Sequence, residues 1–250
     1  MASERCLLNS EAVVRKRVVQ MSDRFGFAWR GLWRFFLLLL GWLLFVQVAI
    51  RILRRYRHFP APAFTAALLS SPLRKKLQPP SLIVGRLRIQ PGMTVLEAGA
   101  GPGTYTLEAA RRAAPGGQVV AVDVQPQMLA RLRARMEQAG IPNIQPKLAD
   151  IRYLPLEDDS VDRAFMVTVL AELPDPVRAL IEVKRVLKPD GILSISEFIV
   201  DPDFPWQSTV IGWARRAGFR LIGRYGSPLN YTLNFAPLNG QTHPFGARAS

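Results

Sequence analysis

Four acidic side chains follow short apolar runs: Glu97 in TVLEAGAGPGTY, Asp123 in VVAVDVQPQML, Asp150 in LADIRYLP and Glu172 in TVLAELPDP. Gly99, Gly101 and Gly103 alternate along the loop after Glu97, where they let the backbone turn sharply and let a ligand lie against bare peptide groups. The dinucleotide fingerprint competes for such a loop, but it wants a small residue five positions after the first glycine, where this chain has Thr104. An acid ahead of the glycines also suits a positively charged amino-acid ligand better than a pyrophosphate. Asp123 lies twenty residues beyond Gly103, where a carboxylate can accept hydrogen bonds from both hydroxyls of a ribose. Each acid alone reads more often as a helix N-cap or a turn residue than as a ligand group. Three in order at successive strand ends favour a ligand site, because ligands of open α/β sheets sit at the carboxyl ends of the strands.

Those positions require a scaffold. From residue 82 onward apolar runs alternate with helical patterns, which predicts a sheet with helices on both faces. Strands are expected at Thr94 to Ala98, Val119 to Asp123, Ile144 to Ala149, Arg163 to Val167, Gly191 to Glu197, Phe219 to Tyr225 and Tyr231 to Phe235. Helices are expected near Tyr105 to Ala113, Pro126 to Gln138, Pro176 to Val186 and Ser208 to Ala217.

With these segments in place, the stretch from about Pro72 to Pro237 resembles the class I S-adenosylmethionine-dependent methyltransferases of the small-molecule, lipid or quinone type. IQPGMTVLEAGAGPG, DDSVDRAFMVTVLAELPDP and EVKRVLKPDGILSISE carry the resemblance. It implies a Rossmann-like, seven-stranded, mostly parallel α/β sheet and S-adenosylmethionine as cofactor. It also implies that Glu97 faces the methionine part of the ligand and that Gly99, Gly101 and Gly103 line its carboxypropyl and ribose side. Asp123 would hold the ribose hydroxyls, with Val124 and Gln125 beside the adenine. Asp150 would bind the adenine amino group and Ile151 pack on its ring, while Thr168 and its neighbours form the floor near the reactive methyl. Where the family often has an aromatic or a histidine after the fourth strand, this chain reads Val169, Leu170, Ala171, Glu172. Glu172 is the nearest candidate for a catalytic group that orients or deprotonates a nucleophile, and a solvated acid before Pro174 is the competing reading. Positioning supplies much of the rate in a displacement from a sulfonium, so a missing histidine base is no objection.

Composition narrows the alternatives. Cys6 is the only cysteine, and His58 and His243 are the only histidines, which excludes a disulfide framework, a cysteine cluster for zinc or iron–sulfur, and a histidine-rich metal site. With no cysteine in the catalytic part, a cysteine-dependent arsenite methylation is not expected. The formal charge of +14 is concentrated in residues 1–80, which hold 14 Lys+Arg against 3 acids; residues 81–250 hold 19 against 16. A nucleic-acid site needs its basic surface on the binding domain itself, so an RNA methyltransferase is disfavoured. A binding protein that keeps the nucleoside pocket without turnover is a further alternative, and the acids at three strand ends argue against it.

Phe35 to Ile50 reads FFLLLLGWLLFVQVAI, sixteen residues without a charge. As a helix it would be roughly 24 Å long, somewhat short of the ~30 Å hydrocarbon layer. Trp29, Trp33 and Trp42 add interfacial aromatics, and Arg51, Arg54, Arg55 and Arg57 form a basic collar. The expectation is a hydrophobic membrane helix at 35–50 ahead of the α/β domain, with span and monotopic insertion both open. Residues 1–34 are expected to be a basic amphipathic segment, with Val14, Val18, Met21 and Phe25 on one stripe. Residues 51–80 read as a basic, proline-rich linker with short helices, 81–237 as the methyltransferase domain and 238–250 as a flexible tail. Seven Lys+Arg precede the run and seven follow it up to Lys76, so charge alone does not orient it. The cofactor's cytoplasmic supply does, and places the catalytic domain on that side of the membrane. A tether of this kind suits a lipid-like or hydrophobic small-molecule acceptor, with the membrane as partner.

Overall fold

The computed structural model describes residues 33–42, 45, 72–201 and 203–238. The chain divides into two units, Met1–Arg55 and Tyr56–Ser250. In the first unit, residues 33–42 are helical and display Trp33, Phe35, Phe36, Leu38 and Trp42 on their surface. Among the described residues no helix is long and apolar enough to cross a membrane. The remainder of the expected 35–50 helix, the amphipathic stripe and residues 51–71 of the linker lie outside the described residues, as does the expected tail beyond Leu238.

Among the described residues of the second unit, the first elements are two short helices, α1 (Pro72–Leu77) and α2 (Pro80–Gly85), each starting on a proline whose missing N–H costs nothing there. Then follow β1 (Thr94–Ala98), α3 (Thr106–Ala113), β2 (Gln118–Asp123), α4 (Pro126–Ala139), β3 (Ile144–Leu148) and β4 (Val161–Val167). A 3₁₀ turn at Leu170–Glu172 leads into α5 (Pro176–Val186), β5 (Leu187–Phe198), α6 (Gln207–Arg216), β6 (Phe219–Ser227) and β7 (Asn230–Pro237). The sheet has seven strands in the order β3-β2-β1-β4-β5-β7-β6. Strands β1 to β5 pair in parallel, and β7 runs antiparallel between β5 and β6.

The central strands read as continuous apolar runs because both faces are covered. Val95, Val119, Ala121 and Phe165 point into a core shared with α2, α3 and α4. Their neighbours Leu96, Val120, Val122, Ala164 and Met166 point into the opposite core, under α5 and α6. The period of two that splits these pairs is the strand's own. The strand order also reverses direction beside β1: β2 and β3 lie to one side, β4 and β5 to the other. That reversal opens a crevice at the carboxyl ends of β1 and β4.

Helix α5 shows how locally the scaffold is specified. Asp175 is its N-cap, accepting from the N–H of Arg178, and Pro176 opens the first turn. Its inner face, Ala179, Leu180, Val183 and Val186, is buried against the sheet. Asp175→Ala should lower unfolding stability by about 1 kcal/mol, since one of the first amide donors loses its partner. Chemical denaturation reads this directly, and an unchanged midpoint would refute the cap.

Candidate functional site

Strand β1 ends at Ala98, and the chain turns back under β2, with Gly99 and Ala100 donating to the Val122 carbonyl at 2.8 and 3.0 Å. This turn presses the loop against the segment after β4: a Cβ on Gly99 would stand 2.5 Å from Val169 Cγ2, and Gly99 itself has φ +81°. Only glycine fits there. Gly103 serves packing in the same way. Its φ is +79°, and a Cβ would meet Leu132 of α4 at 2.4 Å. Of the glycines expected to touch ligand, Gly103 is therefore turned toward the core and does not line the cavity.

That cavity, of about 300 Å³, is lined by Glu97, Gly99, Gly101, Asp123, Val124, Gln125, Asp150, Ile151, Thr168 and Glu172, among others. Its size is at the small end for a ligand pocket. The acids expected at the ends of β1 and β2 and after β3 thus share one cavity with Glu172 from the turn after β4.

Asp123 carries the loop geometry as well as the site. Its Oδ2 accepts from the Gly101 N–H and its Oδ1 from the Gln125 N–H, both at 2.8 Å. Each carboxylate oxygen keeps a second lone pair, so the group retains acceptors for two hydroxyls. Burial raises its pKa above the ordinary aspartate value, and the backbone donors of Gln125, Gly101 and Val124 oppose that.

Glu97 is 2% exposed, and its Oε2 accepts from the Thr106 hydroxyl in a short hydrogen bond. Burial pushes its pKa up to about 8; Thr106 and Arg135 pull it down and Asp123 pushes it further up. A carboxyl so poised gains by ionising when a cation arrives.

Asp150 lines the cavity with its carboxylate already engaged. Arg152 clamps both its oxygens, Nη2 at 2.6 Å from Oδ2 and Nε at 3.1 Å from each, and the Arg152 N–H reaches Oδ1 at 2.9 Å. The clamp holds the carboxyl below the usual aspartate range. An amino group approaching Asp150 would share an acceptor already in use, a constraint invisible in the LADIRYLP string. Thr168, just past β4, has φ +53°, donates its N–H to the Ser196 carbonyl at 2.8 Å and accepts from Arg74 Nη2 at 2.6 Å. Arg74 of α1 also lines the cavity, and nothing in PLRKKL announces a contact 94 positions away. Tyr105, Met128 and Arg152 also line it unannounced.

The residues present fit S-adenosylmethionine. Space is open on the Cβ side of Gly101, whose nearest neighbours leave nothing within 4 Å. Thr104 is buried in the cavity wall with its hydroxyl lacking a hydrogen-bond partner among the described residues. Met128, Ile151 and Val169 supply apolar wall. Glu172 approaches Asp201 and Asp203 of the loop after β5, with one carboxylate oxygen of each within 4.8 Å of the others.

A family model described as a methyltransferase domain matches residues 89–214. The ubiquinone/menaquinone biosynthesis C-methyltransferase of Bordetella avium is 35% identical over 137 residues, 52% of this chain and 53% of that protein. The arsenite methyltransferase of Halobacterium salinarum is 33% identical over 115 residues, 46% of this chain and 29% of that protein. Matched stretches thus span about half or less of these curated relatives. A crystal structure of an S-adenosylmethionine-dependent methyltransferase from Aquifex aeolicus aligns with a TM-score of 0.66 at 25% identity, covering 70% of this chain and 98% of that one.

Proposed function

Because the chain belongs to the methyltransferase-domain family and its domain is of the S-adenosylmethionine-dependent type, we propose that the whole protein is a membrane-associated methyltransferase acting on a hydrophobic or lipid-like small molecule. One observation carries the reading: Glu97, Asp123 and Asp150, from three adjacent strands, converge on one cavity at the carboxyl edge of the sheet. There Glu97 neutralises the ligand's amino-acid end and Asp123 accepts from the ribose hydroxyls. Val124, Gln125 and Ile151 flank the adenine, with Asp150 and its arginine at the edge. S-adenosylmethionine supplies an electrophilic methyl group on a sulfonium, which leaves as a neutral thioether. The protein's part is to hold donor and acceptor in line. Glu172, which lines the cavity, orients the acceptor or takes its proton in this reading.

Two observations support the acceptor class. The quinone methyltransferase of Bordetella avium is among the relatives. Residues 33–42 also present Phe35 (65% exposed) and Leu38 (74% exposed), an apolar surface suited to a bilayer. Cys6, the one cysteine, lies outside the matched residues 89–214, which disfavours arsenite chemistry. The domain faces the cytoplasm in this reading, where its cofactor is made.

Purified full-length protein in detergent, given methyl-labelled S-adenosylmethionine and a membrane lipid extract, should place label in the organic phase and none in added RNA. Label found only in RNA, or none with any extract while cofactor binds, would defeat the reading. Wild-type protein should stay with membranes through a high-salt wash that strips electrostatic binders. Leu38→Asp with Leu40→Asp should release it. Recovery of wild type in the washed supernatant would remove the anchor.

A further inference from the structure

We propose that Arg74 of α1, together with the Thr104 hydroxyl, forms a carboxylate site that receives the amino-acid end of the cofactor and discriminates against analogues lacking that carboxylate. This deepens the S-adenosylmethionine reading and rests on it. The amino-acid end bears an ammonium and a carboxylate on one carbon, so a wall that receives the first through Glu97 must receive the second close by. Glu97, ionised in answer to the ammonium, and the neighbouring charge of Asp123 both repel a carboxylate that has no cation beside it.

Among the described residues, the cavity wall offers two cations, Arg74 and Arg152. Arg152 is committed to Asp150, with Nη2 2.6 Å from Oδ2 and Nε 3.1 Å from each oxygen, on the side assigned to the adenine. Arg74 is therefore the cation that can meet the carboxylate. Its Nη2 donates to Thr168 Oγ1 at 2.6 Å. A guanidinium carries five donors in a planar fork, so it can hold a hydroxyl and a carboxylate together. Helix α1 is itself fixed to the start of β7: Gln78 Nε2 donates to Asn230 Oδ1 at 3.1 Å, and Asn230 Nδ2 donates to the Leu77 carbonyl at 3.0 Å. Those bonds hold the arginine's backbone at the cavity.

Thr104 supplies an independent observation. It lines the cavity, is 8% exposed, and its hydroxyl has no hydrogen-bond partner among the described residues. A buried hydroxyl in that state is costly, and an acceptor on the ligand removes the cost. Its place in the chain is beside the amino-acid end: Tyr105 and Thr106 follow it, and the Thr106 hydroxyl donates to Glu97. Tyr105 lines the cavity too; burial raises its pKa and Arg74 opposes the rise, so the guanidinium acts on this same wall. The family model matches residues 89–214, which include Thr104 and leave out Arg74. The cation thus comes from a helix ahead of the matched domain, and α1 becomes part of the cofactor site.

The test titrates full-length protein in detergent, by calorimetry, with S-adenosylhomocysteine and with its decarboxylated analogue, which keeps the ammonium, ribose and adenine. Wild type should prefer the carboxylated ligand by about tenfold or more. Arg74→Ala should lose most of that preference by weakening S-adenosylhomocysteine while holding the analogue within about twofold, and the retained analogue binding shows that the variant is folded. Arg74→Lys should recover part of the preference, since the charge returns without the fork. Thr104→Val should reduce it by less than Arg74→Ala does. Equal loss of both ligands in Arg74→Ala and Arg74→Lys would mean that the arginine only packs α1 against Thr168, and would overturn the site. Unchanged S-adenosylhomocysteine binding by Arg74→Ala would overturn it in favour of an anionic acceptor as the partner of Arg74. A wild type that binds both ligands alike overturns the carboxylate site while the methyltransferase reading stands; one that binds neither overturns both.

Discussion

Asp123→Ala lowers the affinity for S-adenosylmethionine and for its demethylated product by on the order of 10- to 100-fold, and equally for both. The carboxylate accepts hydrogen bonds from two ribose hydroxyls in the proposed complex, and charge-assisted bonds of this kind contribute about 1.5–3 kcal/mol. The loss falls on both ligands because the ribose is common to them. The variant also strips the Gly101 and Gln125 amides of their acceptor, which loosens the loops on either side of the cavity. Asp123→Asn should do little better: its NH₂ group must face an N–H on one side or the other, exchanging an attraction for a repulsion. Calorimetric titration with the two ligands measures the effect. Wild-type affinity in Asp123→Ala would dismiss the ribose assignment, and a loss confined to one ligand would move Asp123 toward the methyl group.

Glu97 should make both ligand binding and stability depend on pH. Its pKa of about 8 in the folded protein, raised chiefly by burial, lies well above the unfolded value near 4.5. Near pH 7 the carboxyl is therefore mostly protonated before ligand arrives. A cationic amino-acid ligand favours the ionised form, so binding should release close to one proton near pH 7, and affinity should rise with pH up to about 8 and then level off. Stability moves the other way. Below about pH 4.5 the group is protonated folded and unfolded, and its stabilising contribution is fully present. Between about 4.5 and 8 the unfolded chain has lost the proton that the folded protein keeps, so stability falls with rising pH by up to about 1.4 kcal/mol per unit. Above about 8 the loss is complete. Glu97→Gln, which can still accept from Thr106, should flatten that part of the profile. Denaturation from pH 5 to 8, wild type against variant, isolates it because other buried acids contribute equally to both. Parallel profiles would show that Glu97 is ionised throughout, and calorimetry in buffers of different ionisation enthalpy would then find no proton released.

The elements of the domain and the acids at the ends of β1 and β2 were legible in the residues themselves. Apolar runs of strand length, prolines at helix starts and the N-cap Asp175 act within a few residues of themselves, so the string records them. Boundaries moved by a residue or two at several helix and strand ends, and furthest where a strand extends beyond its apolar stretch. β5 begins at Leu187, ahead of the expected Gly191, because Leu187 pairs with Val161 across the sheet. Glu97 and Asp123 stood out because acids recur in order at the ends of successive apolar strands, where a single one would read as a cap or turn residue. Family resemblance then attached a ligand to them.

What the string did not carry are meetings between distant segments. Gly103 looks like its two neighbours in sequence, and its service to Leu132 rather than to ligand depends on where α4 packs. Asp150 shows no sign of its clamp, since a residue two positions on turns back only when the loop folds that way. Arg74 reaches Thr168, and Asp201 and Asp203 reach Glu172, solely because β4, β5 and α1 end at one edge of the sheet. Periodicity and motif spacing encode what a segment does with itself; through-space neighbours are set by strand order and register, and the burial that raised the Glu97 pKa to about 8 and left a Glu197 oxygen without a partner among the described residues exists only once the sheet has closed around them.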